Sequence, residues 1–275
     1  MTPGTREEGA DGTGGTGEPP PDWDPAQYEK FRRERAEPFL DLLALVERRP
    51  GMRVLDVGCG TGELTRLLHE TLVAKETLGV DPSEAMLEKA APRAGGGLRF
   101  ARGRAEDLDP GTGWDLVLSN AVLHWVPDHR SILTRFASWL SPRGEMAVQV
   151  PANQDDATTR LAAEVASEEP FRTRLAGWSL PDHRLSPEGY ARLLFDLGFA
   201  VRHVRVQVYG HVLASREDAV EWVKGALLVE YRARLGEASF GPFLERYRER
   251  LLAVLPDERP FFFPFRRILL SARRE

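Results

Sequence analysis

Short apolar runs alternate with longer amphipathic stretches along most of this chain. Near-continuous apolar runs at residues 53–57, 77–81, 98–102, 114–119 and 144–150 have the length of strands buried on both faces. Helical patterns at 63–69 and 84–90 separate the first three. This rhythm predicts an α/β fold built on a doubly wound parallel sheet. Farther on, Ser186-Pro187-Glu188 carries a capping serine and a proline suited to a first helical turn, and Gly198 is a natural stop. Residues 201–213 then alternate as a long strand with Val204, Val206 and Val208 on one face, and 265–272 reads as the last strand. Two stretches fall outside the sheet pattern, at about 151–181 and 215–260, with helical composition around 158–171 and 243–247. They connect at the C-terminal edge of the sheet and predict a helical cap over whatever site that edge carries. Residues 1–22 are rich in Gly, Pro, Thr and acids and have no apolar period. Such a composition cannot offset its ordering entropy, which predicts a disordered tail before a domain spanning 23–275.

The sharpest local signal is Asp56-Val57-Gly58-Cys59-Gly60-Thr61-Gly62, where an apolar strand runs into an acid and glycines then alternate with small residues. Glycines at such a bend permit a sharp turn and let a ligand lie against the backbone. A dinucleotide fingerprint would place its third glycine at position 63, but Glu63 stands there and the glycine comes early, at Gly62. That spacing argues against a nicotinamide oxidoreductase. Asp81 ends the second strand roughly 20 residues beyond the turn, where an acid can accept both hydroxyls of a ribose. Ser83 reads as the N-cap of the helix that follows. Asn120 closes the fourth strand, and the C-terminal ends of parallel strands are where such sheets place ligands.

The glycine turn resembles motif I of the class I methyltransferases. The resemblance implies a Rossmann-like, seven-stranded methyltransferase sheet and S-adenosyl-L-methionine as cofactor. It assigns Asp56, Gly58, Gly60 and Gly62 to the cofactor turn. The carboxylate of Asp56 suits a cationic sulfonium, and backbone N–H groups can receive the methionyl carboxylate. Asp81 and Pro82 take the ribose end. Met86 is either helix core or packs on the adenine, as the corresponding apolar residue does in the family. Many members carry aspartate where this chain has Arg104, so Glu106 becomes the candidate acid for the adenine amino group, with the Ala105 N–H facing the ring. Asn120 would sit beside the transferable methyl.

Several distant blocks are similar to one branch, the trans-aconitate methyltransferases. They are Trp23-Asp24-Pro25 with Tyr28, Phe31, Arg35 and Pro38; the fourth-strand block from Ser119 to His129; Gln149 to Asn153; Trp222-Val223-Lys224-Gly225; and Pro264-Phe265-Arg266-Arg267. The stretch Leu255-Pro256-Asp257-Glu258-Arg259-Pro260 departs from that branch's pattern and bears on the substrate rather than the reaction. The resemblance implies methyl ester formation on a small tricarboxylic acid. A carboxylate with an ordinary pKa of about 4 is already ionised at neutral pH, so it needs alignment rather than a base. A polyanion needs cationic donors, and arginine supplies bidentate ones. Candidates for substrate contact are Tyr28, Arg32, Arg35, Trp125, Trp222, Arg266 and Arg267, with Arg33 also on the entry helix. His124 and Asn120 are the catalytic candidates. His124 positions a carboxylate, or serves as base if the acceptor is a phenol, alcohol or amine. A different class of reading is a module that binds the cofactor without turnover.

Bulk properties narrow the field further. The 275 residues, 42% hydrophobic and 29% charged, suffice for one large domain with its own core. A net charge of −5 gives no reason to expect nucleic acid or an anionic membrane as partner. The single cysteine, Cys59, lies inside the glycine turn, so no disulfide forms within the chain and a cytoplasmic setting is expected. There it reads as a small residue in a crowded bend. No apolar run reaches the roughly 18 residues that span a bilayer. The six histidines show no ligand spacing, so no metal site is expected. The expectation is a monomer acting on a small-molecule acid.

Overall fold

The computed structural model describes residues 32–274. The tail read at residues 1–22 and the candidate Tyr28 lie outside the described residues, as do the side chains of Arg32 and Arg35. Seven strands form one sheet: β1 (Arg53–Val57), β2 (Glu76–Asp81), β3 (Leu98–Arg102), β4 (Trp114–Asn120), β5 (Leu140–Pro151), β6 (Ala200–Leu213) and β7 (Phe261–Arg273). Their order is β3-β2-β1-β4-β5-β7-β6. β1 to β5 pair in parallel, while β7 runs antiparallel to both β5 and β6. The sheet is therefore parallel except for β7, which reaches its place between β5 and β6 from the far end.

Alternation along the strands divides the core. Leu55, Val117 and Val148 face one layer, where Ile132, Leu133 and Phe136 of α4 (His129–Trp139) and Tyr190, Leu193 and Leu194 of α7 (Pro187–Asp196) cover them. Their neighbours Val54, Leu116, Leu118 and Ala147 face the other, against Phe39 and Leu42 of α1 (Arg32–Ala44) and Leu68 of α2 (Glu63–Thr71). Burial on both faces explains why these strands read as near-continuous apolar runs rather than alternating ones. Local signals set the helix starts. Ser83 Oγ accepts from the Met86 N–H at 3.3 Å and caps α3 (Glu84–Ala90). Ser186 does the same for α7, accepting from the Gly189 N–H at 3.0 Å.

A third apolar cluster lies beyond the sheet. It joins α5 (Ala157–Ser167) and α6 (Phe171–Arg174) to α8 (Arg216–Lys224), α9 (Val229–Leu235) and α10 (Glu237–Val254). Phe243 is fully buried there, edge-on to Phe171 at 5.3 Å and stacked on Tyr231 at 5.1 Å. Leu213, Phe261 and Phe263, at the outer ends of β6 and β7, enter the same cluster. β7 thus begins at Phe261 rather than at 265: Phe261 and Phe263 point into the helices while Phe262 is exposed, and farther along the strand is buried throughout.

Candidate functional site

β1 delivers the chain to the glycine turn at the C-terminal edge of the sheet. The N–H groups of Gly58 and Cys59 donate to the Val80 carbonyl at 2.7 and 3.0 Å, tying the turn to the end of β2. The Gly60 N–H donates to Asp81 Oδ2 and the Ser83 N–H to Asp81 Oδ1, each at 2.9 Å. Asp81 is thereby held by both oxygens. Burial pushes its carboxyl up, while these two N–H groups work against that shift. Gly60 sits at φ +54°, and a Cβ built there would meet nothing within 4 Å, so the turn leaves open space over this residue. Gly62, at φ +72°, differs: its Cβ would lie 2.6 Å from the Phe100 ring and 2.8 Å from the Ala90 methyl. Its glycine is required by close packing of helix on strand.

A cavity of about 920 Å³ opens above the turn. Gly58, Gly60, Asp81, Pro82, Ser83 and Met86 line one end. A side chamber of about 310 Å³ holds Ala105 and Glu106 and shares Gly58, Pro82 and His124 with the larger space. Glu106 Oε1 lies 3.4 Å from the Arg104 guanidinium. Two of the candidate turn residues are not on the lining. Gly62 packs inward, and Asp56 is 3% exposed beneath the turn, accepting from Thr65 Oγ1 at 2.6 Å. Burial, with Asp81 nearby, pushes the Asp56 carboxyl up to about 7, the Thr65 hydrogen bond acting in the opposite sense. Burial also raises the Cys59 thiol far above its usual range, so it is inert at neutral pH.

The far end of the cavity is built by the ends of β4, β5 and β7. It gathers Asn120, His124, Trp125, Gln149, Trp222 and Arg267. Several buried polar atoms here have no hydrogen-bond partner among the described residues: Asn120 Oδ1, His124 Nδ1, Asn153 Oδ1 and both amide atoms of Gln149. Such atoms cost stability unless a ligand satisfies them. Arg267 is 8% exposed and lies over the Phe265 ring at 4.4 Å. Burial, the Arg267 charge and His129 push the His124 imidazole down to about 3, so it is neutral at physiological pH. Its ring rests 4.4 Å from that of Trp125. His129 anchors the loop beneath, with Nε2 2.7 Å from the Leu123 carbonyl and Nδ1 2.6 Å from Tyr190 Oη. Trp222 is buried and stacked on His211 at 4.6 Å.

Arg266 points elsewhere. It is not on the lining and pairs with Asp156 at 2.6 Å, beside the start of α5. Gln149, Asn153 and His129 stand within the blocks of family resemblance but carry no role there. For Gln149 a signal existed: it is a lone amide inside the apolar run of β5, near the strand's C-terminal end. No group of three or more His, Cys, Asp and Glu suited to a metal occurs among the described residues, and none of their helices is long and apolar enough to cross a membrane.

The arrangement fits S-adenosylmethionine: an open glycine turn, an oriented carboxylate at the end of the adjacent strand, and a cavity running on to unsatisfied polar groups. A family model described as a methyltransferase domain matches residues 28–204. A trans-aconitate 2-methyltransferase of Deinococcus radiodurans is 41% identical, over 92% of this chain and 98% of its own length. One from Streptomyces avermitilis is 40% identical, over 93% of this chain and 98% of its own. The fold is that of an S-adenosylmethionine dependent methyltransferase from Mesorhizobium loti, with a TM-score of 0.51 and 23% identity over 86% of this chain and 97% of that one. S-adenosylmethionine is the cofactor, and the chain belongs to the trans-aconitate 2-methyltransferase family of methyltransferases.

Proposed function

We propose that this enzyme forms a methyl ester on a carboxylate of a small polycarboxylic acid, with trans-aconitate, the acid named for its relatives, as the acceptor. One observation carries the reading. The acceptor end of the cavity holds a buried guanidinium, Arg267, beside neutral hydrogen-bonding groups, and its histidine is too weak a base to take a proton from an alcohol or amine. That combination suits an acceptor that is already an anion.

S-adenosylmethionine supplies an electrophilic methyl carried on a sulfonium. Toward it, Asp81 accepts the ribose hydroxyls while its other lone pairs hold the turn. Gly60 lets the donor approach the backbone, and Gly58 beside it makes room for the Val122 side chain. Pro82 and Met86 pack against the donor's nucleoside end, and Ala105 and Glu106 meet the adenine edge from the side chamber. Asp56 and Gly62 act one step back, holding the turn through Thr65 and Phe100. Arg267 anchors a carboxylate that does not react. Asn120 and His124 orient the one that does, and Trp125 and Trp222 exclude water. Arg266 fixes α5 through Asp156. Tyr28, Arg32 and Arg35 are proposed as further substrate contacts. The helices at about 151–181 and 215–260 act as the cap that closes the site. The enzyme is proposed to act as a monomer in the cytoplasm, with a reduced Cys59 and with neither nucleic acid nor membrane as partner.

Incubation with methyl-labelled donor and a panel of trans-aconitate, other polycarboxylates, phenols and amines tests this. The expected product is a base-labile monomethyl ester from the polycarboxylates. Label fixed in a base-stable ether or amine would overturn the reading, and no product from any acceptor would point to a module that only binds the cofactor.

A further inference from the structure

Gln149 is the most anomalous residue in the cavity. It is fully buried in β5, yet neither atom of its side-chain amide finds a hydrogen-bond partner among the described residues, and it lines the cavity. Cross-strand pairing fixes its neighbours. Gln149 is opposite Asn120 on β4 and Leu269 on β7, and Arg267 is two residues from Leu269. Residues so placed share one sheet face, so Asn120, Gln149 and Arg267 form a row across adjacent strands at the sheet's C-terminal edge. The turn residues and Asp81 belong to β1 and β2, on the other side of β4. The row therefore faces the acceptor rather than the donor.

We propose that Gln149 is a specificity-determining residue that hydrogen-bonds the reacting carboxylate of the acceptor and so selects which carboxylate is methylated. This rests on the carboxylate-methylating reading above. In the transfer, one carboxylate oxygen forms the new bond to the methyl carbon as the carbon–sulfur bond breaks. That bond's electron pair goes to sulfur, the sulfonium and carboxylate charges cancel, and no proton moves. The second oxygen becomes the ester carbonyl. A guanidinium on this group would hold the negative charge that has to attack. A neutral amide N–H orients the group and draws off less of that charge. Gln149 and Asn120 provide neutral contacts for the reacting carboxylate, and Arg267 takes a remote one. Regiochemistry follows from the separation of neutral and cationic contacts along the row.

The test uses the full chain, Gln149→Met and Gln149→Glu, trans-aconitate as acceptor, and four readouts: kcat and KM, donor affinity, ester position, and melting temperature without ligands. Gln149→Met should lower kcat/KM for trans-aconitate about 10–100-fold, the scale of one hydrogen bond to a charged group. It should also yield mixed monoesters where the parent gives one, and leave donor affinity unchanged. Its melting temperature should rise by a few degrees, because an unsatisfied buried amide is removed. Gln149→Glu should lose more, through repulsion of the carboxylate. Unchanged kcat/KM with a single ester in Gln149→Met overturns the proposal. So does a matching loss of donor affinity, which would put Gln149 at the donor, or a lowered melting temperature, which would make it structural. If the parent enzyme esterifies no polycarboxylate, the reading of the reaction itself has failed; a parent that does, with an indifferent Gln149, fails this proposal alone.

Discussion

Asp81 does two jobs with one side chain, and its substitutions should separate them. Its oxygens take the Gly60 and Ser83 N–H groups, and what remains faces the cavity. Asp81→Ala should weaken donor binding about 10–100-fold by calorimetry, the scale of lost charged hydrogen bonds. Asp81→Asn should lose less, since an amide oxygen can still accept one of the N–H groups. Undiminished donor binding in Asp81→Ala would remove the ribose role. Arg267→Met should raise KM for trans-aconitate far more than for a monocarboxylic acid, because only the polyacid uses the remote anchor. Asp56 gives a signed pH test. Its folded pKa of about 7 lies above the ordinary aspartate value of 3.8, so its contribution to stability is full below about pH 4 and is lost as pH rises through about 7. Asp56→Asn should therefore gain in melting temperature over the parent at pH 8 relative to pH 4.5; a gain independent of pH would contradict that environment. At this scale Asp81, Asn120 and His124 were legible because motif spacing and strand ends mark them. Gln149 shows in the sequence only as a lone amide in an apolar strand, and its unpaired state emerges only once its neighbours are placed; Asn153, beyond the end of β5, carries no such mark. Asp56 and Gly62 were assigned to ligand contact because spacing cannot tell which side of a turn faces the ligand.

Elements divide into two groups with different energetics. The strands of the sheet are clamped between two apolar layers, whereas the helices beyond it share their own cluster, joined through the ends of β6 and β7. Phe243 is the hub of that cluster. Phe243→Ala should cost about 3–5 kcal/mol, as truncation of a buried aromatic does. Because no part of the glycine turn belongs to this cluster, the damage should fall on acceptor turnover and thermal stability, with donor affinity near that of the parent. Equal loss of donor binding would show that the helices and the sheet edge fold as one inseparable unit. Sequence periodicity made the sheet legible, since apolar runs of strand length have few other homes. It missed the outer part of β7, where Phe261 and Phe263 alternate with exposed residues and follow a long helical stretch.

The whole molecule places two kinds of chemistry on opposite sides of β4. Toward β1 and β2 lie the glycine turn and an oriented carboxylate; toward β5 and β7 lie neutral amides and a buried arginine. The order of strands is what separates them, and no stretch of sequence displays it. With the donor end fixed by the cofactor, the acceptor end decides the reaction, and there the decisive property is the absence of any need for a base. The pH dependence of kcat tests that most directly. Acceptor carboxylates are ionised well below pH 6, and His124 is held neutral by a pKa of about 3. With no base required, kcat should be flat from pH 6 to 8 in the parent enzyme and in His124→Gln, with only mild loss in the variant. A kcat that climbs with pH through this range and loses its slope in His124→Gln would make the histidine a general base and the acceptor something other than a carboxylate.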